Sequence, residues 1–148
     1  MYLKRKTSLF SYGDKKYSLD VRKNGEPLPF INPEKVDGVV EEVGYWRKFN
    51  ALHDWFVENV QDGVDKCQTS EVALEQLKKL LDLLKEVQKC PDNAPELLPT
   101  TEGFFFGGTE YDDYYFEEVS ETIEMLEKLI ADDEKYDEYF EYFYRASW

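Results

Sequence analysis

Six apolar residues at three- and four-residue steps, Leu74, Leu77, Leu80, Leu81, Leu84 and Val87, constrain this chain more than any other feature. That spacing puts them all on one side of a helix, and such a side must be buried. Ser70 is read as the helix cap, with Glu71 in the first turn where the macrodipole favours a carboxylate. Pro91 helps to end the helix. A second stripe, Phe116, Val119, Ile123, Leu126 and Ile130, predicts a helix over residues 112–131. A third set, Val39, Val40, Val43, Trp46, Phe49, Asn50, His53, Phe56 and Val57, has the same period. Asn32-Pro33 reads as a cap followed by proline at the first helical position. Either a short helical turn starts there, or the main helix runs over residues 37–61. Gly44 weakens that helix by about 1 kcal/mol relative to alanine and marks a close approach by a neighbouring element.

The first 31 residues read as strands. Lys23-Asn24-Gly25-Glu26 suits a type I′ hairpin turn, because both central residues must take positive φ. Leu9-Phe10-Ser11-Tyr12, Tyr17-Ser18-Leu19-Asp20-Val21 and Pro27-Leu28-Pro29-Phe30 would form a small meander, the prolines placing the last at an edge. The aromatic tail, Tyr139 to Tyr144, reads as a strand returning to this sheet, with a fourth helix as the alternative. The expectation is one α+β domain: three principal helices with a small antiparallel sheet from the N-terminal hairpins and the C-terminal strand.

The 148-residue length suits one domain. No apolar run approaches the roughly 20 residues needed to cross a bilayer. The basic N-terminus is followed by no apolar segment of the secretory kind, so a cytoplasmic protein is expected. Cys67 and Cys90 bracket the Leu-rich helix, too far apart for a disulfide. The net charge is −14, unevenly spread: residues 1–48 carry 10 basic and 7 acidic groups, the remainder 8 basic and 25 acidic. Such a field repels nucleic acid and anionic membranes and steers basic partners inward.

Four groups of residues could carry function. On the expected helix, Trp46, Asn50, His53 and Val57 align, setting two polar side chains in an apolar stripe. They are either a core network that fixes packing, or a pocket wall with Arg47 beside it and His53 as acid, base or ligand contact. His53 is the single histidine, so a multi-histidine metal site is excluded, and no serine or cysteine is marked as a nucleophile. The run Gly103-Phe104-Phe105-Phe106-Gly107-Gly108 is either a buried strand or plug, or a glycine-lined nest at the entrance to the last helix. The nest reading selects Gly103, Phe105, Gly107 and Asp112. Crowded acids oppose phosphate there and no Gly-Lys-Ser/Thr follows, so it is not a P-loop. No cofactor or metal is expected. Glu117, Glu121 and Glu124 share one side of the last helix, as a solvated face or a partner surface. The aromatic tail packs within the fold or in a homo-oligomer interface.

Jointly, Trp46-Arg47-Lys48-x-Asn50-x-x-His53-x-Trp55-Phe56-Val57, Leu98-Pro99-Thr100-x-x-Gly103-Phe104-Phe105-Phe106-Gly107, Tyr111-Asp112 and the terminal Ser147-Trp148 resemble a family of small uncharacterised proteins of bacteriophage and prophage genomes. The resemblance covers roughly residues 36–130 and the last few. It implies context and not mechanism: a phage accessory protein in the cytoplasm of a bacterial host. The leading expectation is a non-enzymatic protein that binds a host component, such as a defence or metabolic protein, through its acidic surface. The alternative is a small-molecule binder or enzyme built on the face of Trp46, Arg47, Asn50 and His53 beside residues 103–112. A structural or self-assembling phage component is the third.

Overall fold

The computed structural model describes residues 1–9, 19–102, 107–136 and 138–147. The chain is α+β. Its first strand, β1 (Tyr2–Ser8), lies at the centre of a sheet and carries Lys4, Arg5 and Lys6 in a row. Three consecutive cations are tolerated there because both neighbouring strands supply acids. A small hairpin, β2 (Arg22–Lys23) and β3 (Glu26–Pro27), follows, with Asn24 and Gly25 at φ 53° and 83° as the turn requires. Asn32 caps a single 3-10 turn, Pro33–Lys35, its Oδ1 accepting from the Glu34 N–H at 3.1 Å. Of the two readings of Asn32-Pro33, the short turn holds.

Residues 38–45, expected to be helical, form strand β4 (Gly38–Tyr45). Val39, Val40 and Val43 meet the helical period by coincidence. Their β-branched side chains favour a pleated surface, and Val39 and Val40 are 37% and 59% exposed, so no buried helical face was being signalled. Gly44 does mark a close approach: a Cβ there would stand 2.8 Å from the Trp46 ring and 3.2 Å from Met125. Helix α1 (Asn50–Val60) begins only after the strand. Trp46 therefore precedes the helix, and the expected four-residue alignment reduces to Asn50, His53 and Val57.

Ser70 is likewise not a cap. It belongs to strand β5 (Thr69–Val72), and helix α2 (Leu74–Lys89) starts after Ala73. Alanine has no side-chain acceptor, but Gln76 Oε1 accepts from the Ala73 N–H at 2.8 Å, one half of a capping box. A short helix α3 (Ala94–Leu97) leads to α4 (Asp113–Lys135), which runs four residues beyond its expected end. The tail is strand β6 (Phe140–Arg145).

The sheet order is β4-β1-β6-β5, with every pair antiparallel. The first and last strands meet at its centre, as expected of the tail. The other two strands come from segments 38–45 and 69–72, not from the N-terminal hairpins; the Asn24-Gly25 hairpin stands as a separate ladder. Residues 10–12 and 17–18 of the expected meander lie outside the described residues, and residues 19–21 form no strand. Lys4 faces Glu42, Arg5 faces Glu41 and Lys6 faces Glu141 across the ladders. Val43 is an extra residue opposite the Leu3–Lys4 step, a β-bulge.

One face of the sheet presents Leu3, Val72, Tyr142 and Tyr144 to the helices. Leu77, Leu80, Leu84 and Val87 of α2 and Val119, Ile123, Leu126 and Leu129 of α4 complete the core. Phe56 of α1 stacks on Tyr144, rings 4.0 Å apart and 8° from parallel. Both cysteines are free. Among the described residues no helix is long and apolar enough to cross a membrane.

Candidate functional site

Two regions gather polar side chains. In the first, Asn50 and His53 open α1, one turn apart and 3% and 5% exposed. Asn50 Nδ2 donates to the Gly108 carbonyl at 2.8 Å, and Oδ1 accepts from the Thr101 N–H at 3.1 Å. A single amide thus ties both sides of the 101–108 segment to α1. His53 Nε2 lies 2.8 Å from Asp65 Oδ2 and Nδ1 lies 2.7 Å from the Tyr144 hydroxyl. With the proton on Nε2, the ring donates to Asp65 and accepts from Tyr144. Asp65 Oδ1 also accepts from the Cys67 N–H at 3.2 Å. Burial, and then the Asp65 charge, raise the Tyr144 phenol far above its ordinary value, so it remains a donor.

Trp46 is also buried, its indole N–H donating to Thr122 Oγ1 at 2.8 Å. Arg47 is exposed, and its carbonyl accepts from the Tyr114 hydroxyl at 2.8 Å. Trp46, Arg47, Asn50 and His53 border one cleft of about 260 Å³. Arg47, Asn50, Gly107 and Asp112 border an adjoining one of about 300 Å³. Within the second, Asp112 caps α4, Oδ1 accepting from the Tyr115 N–H at 3.0 Å. Gly107 holds φ +87°, and a Cβ there would come within 2.8 Å of the Lys48 carbonyl oxygen. Its freedom thus serves a close backbone approach. Gly103 and Phe105 lie outside the described residues. The polar groups that sequence reasoning selected therefore do converge, but Asn50, His53 and Asp112 all bond within the fold. Asp65 and Tyr144 complete the His53 network; no local pattern marks Asp65, and Tyr144 is marked as part of the aromatic tail but not as a partner of His53.

The second region is a groove of about 630 Å³ between β4 and α4. Glu41 and Glu42 line it from the strand, and Glu121, Glu124 and Asp132 from the helix, over Val43, Met125 and Leu129. Two cations share it, Arg5 and Lys128. Arg5 is committed: Nε and Nη2 donate to Glu41 Oε2 at 3.1 and 2.9 Å, and Nη1 donates to Asp132 Oδ2 at 3.0 Å. Glu117 is exposed on α4 one turn before Glu121. Burial first, and then the charges of Glu121 and Glu117, raise the Glu118 carboxyl above its ordinary range, against the bond it makes with Tyr114. Tyr114 is pushed up to about 12 by burial and by Glu118. Burial leads in both shifts, and neighbouring carboxylates add to it. Of the groove acids, helical spacing marks Glu121 and Glu124, whereas Glu41 and Glu42 reach the groove only because residues 38–45 form a strand.

No family model matches this chain, nor does any curated protein or solved structure.

Proposed function

We propose that this protein is a non-enzymatic binding protein whose acidic groove between β4 and α4 receives a basic surface of a partner. The observation that carries this reading is the convergence of Glu41, Glu42, Glu121, Glu124 and Asp132 on one groove whose arginine is already engaged by two of them. Such a field concentrates cationic partners and excludes anionic ones. The resemblance to phage proteins makes a basic component of the bacterial host the partner sought, and a host-takeover or anti-defence role the setting. Internal engagement of Asn50 and His53 favours this reading over catalysis.

The test is capture from bacterial lysate. The native protein should retain one stoichiometric partner, with affinity falling as salt rises. Reversal of Glu117, Glu121 and Glu124 to lysine should abolish retention while circular dichroism is unchanged. Retention unaffected by the reversal would overturn the reading. A second reading, small-molecule binding, draws on the two clefts that share Arg47, Lys48 and Asn50. It requires a metabolite that raises the melting temperature of the native protein but not of Arg47→Ala.

A further inference from the structure

The two borders of the sheet differ. β5 is a four-residue strand, short enough to discourage pairing. β4 spans eight residues, and among the described residues β1 is its one hydrogen-bonded neighbour. An edge of that length presents alternate N–H and C=O groups outward, a template for another extended chain. Val40, 59% exposed, adds apolar surface that a further strand would cover.

We infer that the outer edge of β4 accepts an extended lysine- or arginine-rich segment of a partner protein as a fifth strand. This rests on the acidic-groove reading and adds the mode of docking. The protein already contains an example of the pairing. On the inner edge of β4, Lys4 stands opposite Glu42 and Arg5 opposite Glu41. A basic segment with its cations at alternate positions would repeat the Arg5–Glu41 pairing on the groove face of the outer edge, with Glu121 and Glu124 across the groove receiving its remaining cations.

Charge also selects against the simplest competitor. Two copies joined edge to edge would bring Glu41 and Glu42 of one against the same strand of the other, in chains of net charge −14 each. Like charges facing across a ladder destabilise it. The bulge at Val43 bends the strand and limits regular pairing to residues 38–42, on the order of 17 Å of extended chain.

The experiment uses the full chain and a ten-residue peptide alternating lysine with valine. Two further peptides are N-methylated at one or the other set of alternate residues, leaving their charge intact. The unmodified peptide should bind and slow hydrogen exchange at alternate amides of β4. One methylated isomer should lose at least about tenfold in affinity, since each lost main-chain bond is worth about 1 kcal/mol, while the other binds normally. Equal binding of all three peptides would overturn strand addition and leave docking in the acidic groove standing. No binding by any peptide at low salt would overturn both. Concentration-dependent dimerisation that protects the β4 amides without peptide would make a second copy the occupant and overturn the inference.

Discussion

His53 joins three segments remote in sequence: α1, the loop carrying Asp65, and β6 through Tyr144. Tyr144 is fully buried, and the His53 imidazole is the partner its hydroxyl finds inside the fold. Tyr144→Phe should cost about 1–2 kcal/mol, as it strips Nδ1 of its phenol partner. His53→Ala should cost about 3 kcal/mol or more, because it opens a cavity and takes a hydrogen-bond partner from both the phenol and the carboxylate. In a double-mutant cycle read by urea unfolding, the two changes should couple by about 1 kcal/mol. Strict additivity would show that the bond contributes nothing. Asn50 and His53 were identifiable in advance as polar residues in an apolar stripe, because burial obliges such groups to find partners. Which partners they find was not, since nothing local to Asp65, Thr101, Gly108 or Tyr144 points to α1.

Helix α4 carries its acids at a cost to itself. Glu117 and Glu121 are one helical turn apart, as are Glu121 and Glu124, and like charges at such spacings cost a few tenths of a kcal/mol per pair. Glu118 shares the penalty: its folded carboxyl titrates above the ordinary range. A raised carboxyl binds its proton more tightly in the folded state. This contribution therefore falls as pH rises from the unfolded carboxylate range through the raised value, and it opposes folding at neutral pH. Glu121→Gln should stabilise the protein by about 0.5 kcal/mol at low salt, less at high salt, and weaken the binding of a basic probe. Urea unfolding at two ionic strengths measures the first effect and peptide titration the second. A destabilised Glu121→Gln would show that this carboxylate supports the helix instead of burdening it.

Across the whole molecule, the basic first third and the acidic remainder do not form two separate surfaces. β1 threads its cations between acids of β4 and β6, with Arg5 bound to Glu41 and Asp132 and Lys6 to Glu141. Burial, as the leading cause, also raises the phenols of Tyr115, Tyr142 and Tyr144 well above the ordinary tyrosine value of about 10. Because the folded values are raised, the stability these groups confer is complete below about pH 10 and declines as pH rises toward them. Alkaline titration followed by phenolate absorbance should show three tyrosines ionising only together with loss of secondary structure. Their ionisation in the folded protein would contradict the packing of β6 and of the first turn of α4. The local signals were sufficient for α2, α4, the Asn24-Gly25 turn, the Asn32-Pro33 cap and the returning tail strand, because period, capping and turn chemistry act over a few residues. Residues 38–45 satisfied a helical and an extended pattern at once. The choice was made by β1, whose Lys4 and Arg5 gain Glu42 and Glu41 as neighbours when that segment lies beside them in a ladder, and by the close approach of Trp46 and Met125 to Gly44. The acidic groove depends on that choice. It requires a strand from one part of the chain and a helix some eighty residues later to lie side by side, a relation set by packing and not by local sequence.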